Sequence, residues 1–212
     1  MAKQRVTFTS DGLLLEGMLH LPDATRPCPG VVVCHPHPQY GGDMRNSVVE
    51  AINAALAQWG MAALAFNFRG VGDSQGQYDR GVGEAADALS ALEFLTTQPE
   101  IDRNRLGIAG YSFGAGIALD AAAENHDVRA IVSVACPLAP LNDLVLHQIN
   151  RPKLFIQGDA DYLIEMEMFH FLMQRFAPPR EIEVLTGADH SLRDHEAQVG
   201  NLAAGFFARH LI

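Results

Sequence analysis

The sequence predicts an α/β architecture: a mostly parallel, doubly wound sheet with helices on both faces and an antiparallel N-terminal edge. Three observations predict it. Apolar runs of strand length alternate with amphipathic stretches of helix length along the chain. Some of those runs, such as Gly30-Val31-Val32-Val33-Cys34, are continuously apolar, as strands covered on both faces are. Finally, residues 106–123 pass from an apolar run through Gly110-Tyr111-Ser112-Phe113-Gly114 into a small, helix-favouring stretch, so the chain reverses at a serine.

Residues 6–9 and 13–20 flank the turn signal Ser10-Asp11-Gly12 and read as a hairpin at one sheet edge. Residues 22–29 form a Pro-rich loop, 30–34 a buried strand, and 35–42 a further loop. A helix over 47–59 places Val48, Ile52, Ala55, Leu56 and Trp59 on one face, and Gly60 ends it. Residues 61–67 give the next buried strand and 68–74 a Gly-rich loop. A helix over 83–97 turns Ala85, Leu89, Leu92 and Leu95 inward, with Pro99 beyond its end. After the serine reversal come strands over 130–135 and 153–158. A helix over 164–176 is stopped by Ala177-Pro178-Pro179, and a strand over 181–185 and a helix over 194–211 complete the pattern. Residues 136–151 fit neither period. That stretch is too short for a large lid, which predicts an open site.

With 212 residues, 48% of them hydrophobic and 19% charged, the chain is ordinary globular protein and is expected to form one domain over 1–212. A formal net charge of −10 argues against binding nucleic-acid phosphates or anionic membrane surfaces. The first residues lack an apolar signal-peptide core, and no apolar run is long enough to span a bilayer. Three cysteines without metal-ligand spacing (Cys28, Cys34, Cys136) read as reduced thiols of a cytoplasmic protein. An exposed edge strand offers a surface for a homodimer.

The pentapeptide at Ser112 matches G-x-S-x-G, the nucleophile elbow of serine hydrolases when it lies between a strand and a helix. With 19 glycines in 212 residues, chance supplies only roughly 0.06 such matches, so the motif directs a search for partners. A serine needs a base, and the base needs a carboxylate to fix its tautomer. In a doubly wound sheet these groups converge only in loops at the carboxyl ends of strands. Among nine histidines, His190 follows the last strand and precedes the last helix. His35 and His37 lie on the same sheet edge but precede the serine. His20, His126, His147, His170, His195 and His210 read as solvated or structural. Asp159 and Asp161 both follow a strand in Gly158-Asp159-Ala160-Asp161. Asp161, further into the loop, is preferred, while Asp159 suits a turn cap. Asp189 reads as serving its own loop. The oxyanion hole requires two backbone N–H groups. One is Phe113, after the nucleophile. The other comes from the loop after the 30–34 strand, where Pro36 and Pro38 have no N–H. That favours His37, with Gln39 or Tyr40 behind it. Tyr40, Tyr111, Phe113 and Leu163 are candidate pocket walls.

Taken together, His35-Pro36-His37-Pro38-Gln39-Tyr40-Gly41-Gly42, Phe66-Asn67-Phe68-Arg69-Gly70-Val71-Gly72-Asp73-Ser74, Gly110-Tyr111-Ser112-Phe113-Gly114, Gly158-Asp159-Ala160-Asp161 and Gly187-Ala188-Asp189-His190 fall in the order of a known family. The chain resembles the small bacterial α/β-hydrolases of the dienelactone-hydrolase-like, esterase-type group. The resemblance implies a triad of Ser112, Asp161 and His190, no metal or organic cofactor, and hydrolysis of small carboxylic esters. Dienelactone hydrolase itself uses a cysteine where Ser112 stands, which argues against that substrate. Thioesterase and aminopeptidase or amidase activities use the same triad. A rival of another class is a non-catalytic binding module on the same fold.

Overall fold

The computed structural model describes residues 2–23 and 27–212. Eight strands form one sheet in the order β1-β2-β4-β3-β5-β6-β7-β8. In chain order these are β1 (Ala2–Ser10), β2 (Leu13–Leu21), β3 (Cys28–Cys34), β4 (Ala62–Phe66), β5 (Ile101–Tyr111), β6 (Val128–Val134), β7 (Lys153–Gly158) and β8 (Arg180–Leu185). β1 pairs antiparallel with β2, and β2 antiparallel with β4. All remaining pairs are parallel. The predicted hairpin is therefore the antiparallel edge.

Parallel strands need crossovers, supplied by α1 (Ser47–Gln58), α2 (Val82–Thr96), α3 (Phe113–Glu124), the two single turns α4 (Leu138–Leu141) and α5 (Leu144–His147), and α6 (Met166–Met173), while α7 (Glu196–Leu211) follows the last strand. The period-2 alternation of strand side chains divides the core in two. Val32 and Cys34 of β3 and Leu64 and Phe66 of β4 pack with α2 and α3 on one face. Val31 and Val33, with Ala63 and Ala65, pack with α1 and α7 on the other. Both faces are covered, which is why the central strands are apolar without alternation.

Four local readings are adjusted. Trp59 caps α1 instead of joining its buried face and is half exposed, because the chain leaves the helix there into Gly60 at φ 78°. The buried face of α2 runs through Ala88, Ala91, Leu92 and Leu95, leaves Ala85 only partly covered, and includes Glu84 and Asp87. Glu84 accepts hydrogen bonds from the N–H groups of Gly81 (2.7 Å) and Asp79 (2.8 Å), fixing the start of the helix. Residues 136–151, unassigned from sequence, contain α4 and α5, which are too short to show a period. His195 sits at the N-cap of α7 and not inside it.

The loop after β4 is architectural. Arg69 donates to both oxygens of Asp87 (2.8–3.1 Å) and to Asp11 (3.0 Å), tying that loop to α2 and to the β1–β2 turn. Ser74 and Asn67 bind each other and Glu16 in the same region.

Candidate active site

Every residue singled out for chemistry lies in a loop at the carboxyl end of a strand: His35 to Tyr40 after β3, Ser112 after β5, Asp159 and Asp161 after β7, His190 after β8. The parallel sheet brings these distant segments to one rim.

Ser112 has φ 54° and ψ −120°, a region costly for a residue with a Cβ. The strain is imposed by the flanking glycines' surroundings. A Cβ on Gly110 would run into the carbonyl of Gly114, and one on Gly114 would run into the carbonyl of His35. Only glycine permits β5 to turn into α3 this sharply. The turn holds the serine hydroxyl clear of the sheet at the N-terminus of α3. The Ser112 N–H is bonded to the Val134 carbonyl at 2.8 Å, which anchors the turn to β6.

From that hydroxyl a chain of hydrogen bonds runs inward. Ser112 Oγ lies 2.9 Å from His190 Nε2, and His190 Nδ1 lies 2.8 Å from Asp161 Oδ2. A carboxylate only accepts, so Nδ1 carries the proton and Nε2 is left as the acceptor for the serine hydroxyl. The Asp161 side chain is wholly buried. Burial pushes its pKa up, but hydrogen bonds from His190, the Leu163 N–H (2.9 Å) and Gln157 Nε2 (3.0 Å) outweigh it, holding the carboxyl below the ordinary carboxylate value. Asp159 does something else. Its Oδ1 accepts from the Gly187 N–H at 2.6 Å, and its own N–H binds the Leu185 carbonyl, stapling the β7 loop to the loop that carries His190.

The two other rim histidines are occupied. His35 is buried, Nδ1 against the Pro36 carbonyl (2.6 Å) and Nε2 accepting from the Phe68 N–H (3.1 Å). Burial lowers its pKa to about 4, so it stays neutral and ties the β3 loop to the β4 loop. His37 accepts from the Gln39 N–H at 3.2 Å and meets the Tyr78 hydroxyl at 3.2 Å. Asp189 binds Ser191 within its own loop.

The backbone donors can be told apart by what they already bind. The Gln39 N–H is taken by the His37 ring, and the Tyr40 N–H by the His37 carbonyl at 3.1 Å. Among the described residues, the N–H groups of His37 and Phe113 have no such partner. Phe113 is the first residue of α3, where helical N–H groups point outward. Their rings lie 4.9 Å apart, and both residues line the cleft over Ser112.

An open cleft of about 660 Å³ lies over Ser112 and His190. Tyr40, Tyr111, Phe113 and Leu163 border it, together with Pro137 and Tyr162. Among the described residues, no Asp, Glu, Lys or Arg lines it. Two contributions were not read from the sequence. Gln157 ends a buried apolar strand, and that lone amide in an apolar run was the available signal. Tyr111, expected as a wall, is almost fully buried and donates its hydroxyl to the His190 carbonyl at 2.7 Å.

Residues 11–200 match the family model described as X-Pro dipeptidyl-peptidase (S15 family). The chain belongs to this S15 family. An uncharacterized protein of Rickettsia prowazekii is 34% identical to the S15 chain in a 179-position alignment that covers 80% of this chain and 75% of the relative. A solved α/β serine hydrolase homologue from Coxiella burnetii superposes with a TM-score of 0.88 at 33% identity, covering 97% of each chain. A Xanthomonas campestris protein, described as an α/β serine hydrolase without a lid, gives 0.86 at 28% identity over 99% of this chain and 95% of its own. The S15 chain is thus a hydrolase with the α/β-hydrolase fold, as its motifs implied. It carries no lid domain among the described residues. No helix among them is long and apolar enough to cross a membrane.

Proposed function

We propose that the protein is a serine esterase that cleaves small, uncharged carboxylic esters through an acyl-enzyme. The observation that carries this reading is the unbroken path Ser112 Oγ, His190 Nε2, His190 Nδ1, Asp161 Oδ2, opening into an uncharged cleft. Ser112 attacks the ester carbonyl as its proton passes to His190 Nε2. Asp161 orients the ring and stabilises the imidazolium. The N–H groups of Phe113 and His37 receive the developing oxyanion, each worth about 10²–10³ in turnover. His190 then protonates the leaving alcohol. Water, deprotonated by the same imidazole, attacks the acyl-enzyme and releases the acid with Ser112 restored. No metal or organic cofactor enters these steps.

The family match favours one other reading, a dipeptidyl-peptidase. Such an enzyme must hold the protonated amino terminus of a peptide, which calls for a carboxylate near the scissile bond. The absence of Asp and Glu from the cleft lining supports the ester reading over it. The lack of cationic side chains among the described lining residues disfavours thioesters on anionic carriers.

Parallel assays of p-nitrophenyl acetate and Ala-Pro-p-nitroanilide with wild type and Ser112→Ala test the proposal. Ester turnover lost on substitution, with little anilide turnover by wild type, is expected; anilide turnover exceeding ester turnover sinks it. Three buried cysteines without a disulfide suit a reducing compartment, and we place the enzyme in the cytoplasm.

A further inference from the structure

We infer that the two sides of the cleft divide the substrate: an aromatic wall on the Tyr40 side receives the acyl group, and an apolar wall on the Tyr162 side receives the leaving alcohol. The expected substrate is an uncharged ester of an aryl-bearing carboxylic acid with an apolar alcohol. The inference rests on the esterase reading above and adds which part of the ester each wall selects.

The argument starts from sheet order. The loops after β3 and β7 are separated by β5 and β6. At about 4.8 Å per strand they stand roughly 14 Å apart, with Ser112 between them. Each loop presents one tyrosine to the cleft, and both are unusually bare: Tyr40 is 88% exposed and Tyr162 81% exposed. Large aromatic surfaces left in water at the rim of a catalytic cleft are available for a ligand.

The two walls differ in chemistry. On the β3 side, Tyr40 packs on the His37 ring (4.8 Å between centroids). His37 in turn packs on Phe113 (4.9 Å) and Tyr78 (4.9 Å), giving a continuous aromatic surface. On the β7 side, Tyr162 is joined by Leu163, Ile164 and Pro137, which are aliphatic.

Direction follows from the proton transfer. The leaving oxygen must face His190 Nε2 to be protonated. His190 follows β8, the neighbour of β7, so the imidazole reaches Ser112 from the side of the sheet whose loop carries Tyr162 and Leu163. The β3 loop, which carries the His37 N–H, borders the carbonyl and what remains of the substrate, its acyl group.

Both tyrosines are exposed, so Tyr40→Ala and Tyr162→Ala are expected to fold. The test compares p-nitrophenyl acetate with p-nitrophenyl phenylacetate, then phenyl acetate with ethyl acetate, for wild type and both variants. Tyr40→Ala is expected to lower kcat/KM for the phenylacetyl ester roughly threefold to tenfold more than for the acetyl ester. It should also slow the deacylation that follows the p-nitrophenol burst with the phenylacetyl ester. Tyr162→Ala is expected to lower the preference for phenyl acetate over ethyl acetate. It should leave deacylation unchanged, because the acyl-enzyme no longer contains the alcohol. A Tyr40→Ala enzyme that treats acetyl and phenylacetyl esters as wild type does, or a Tyr162→Ala enzyme slowed in deacylation, overturns the division while ester hydrolysis itself stands. A wild type inert toward all these esters overturns the esterase reading as well.

Discussion

Two buried aspartates in this molecule pair with nitrogen donors and do different work. Asp87 and Asp161 each have a fully buried side chain. Asp87 meets Arg69, a permanently charged fork that binds both its oxygens, and it also accepts from the Arg69 N–H at 2.9 Å. That cluster joins α2, the β4 loop and, through Asp11, the first hairpin. Asp161 meets a histidine whose second nitrogen is turned outward to a serine at the floor of a cleft. Similar acids become architecture or machinery according to whether the partner can change its proton count and whether it faces open space.

Substitutions should separate the two clusters, and the largest effect belongs to the site. Ser112→Ala is expected to cut ester turnover by about 10⁴–10⁶ with an unchanged melting temperature; retention of more than a tenth of the rate would contradict the assignment. Asp161→Asn should cost about 10⁴ in kcat, because the amide stabilises the wrong histidine tautomer. Asp159→Asn tested beside it should cost far less, since Asp159 serves a backbone N–H.

Asp87→Ala reverses the pattern. It leaves Arg69 as a poorly compensated buried charge, so a loss of about 3–5 kcal/mol in unfolding free energy is expected by denaturant titration. Turnover per folded molecule should stay near wild type. A selective loss of kcat without loss of stability would show that the Arg69 cluster reaches the chemistry.

The smallest effect is expected at Tyr111. Tyr111→Phe removes one hydrogen bond to the His190 carbonyl, worth about 1 kcal/mol. A fall of a few-fold in kcat with little change in KM is expected if the hydroxyl positions the base. A change confined to KM would make Tyr111 a wall and nothing more.

Acidity sharpens the contrast further. The Asp161 carboxyl is held below its ordinary value in the folded chain. Its contribution to stability is present above the unfolded carboxylate value of about 3.9 and is lost as pH falls through the lower folded value. Stability measured against pH should therefore show a shallower acid loss in Asp161→Asn than in wild type.

Part of this was legible in the residues. The glycines around Ser112 announce a close turn, because no other residue fits where the carbonyls of Gly114 and His35 approach. The apolar runs of β3 and β4 announce strands covered twice. The position of His190 after the last strand brings it to the same rim as Ser112. Periodicity failed where elements were a single turn long, at α4 and α5, and at Trp59, where a helical pattern continues one residue past the helix.

The sequence by itself determined the layering of the sheet, the reversal at the serine and the small set of side chains able to reach it, because each follows from local pattern and chain order. Tertiary structure alone decided which of His37, Gln39 and Tyr40 keeps a free N–H, that Asp161 and not Asp159 meets His190, and that Gln157 and Tyr111 brace the pair. The bonds to His190 join segments as many as 79 residues apart, and those within the His37 loop depend on the turn it adopts against the sheet. The long-range geometry is set by how the loops pack over the sheet, and no local pattern encodes it.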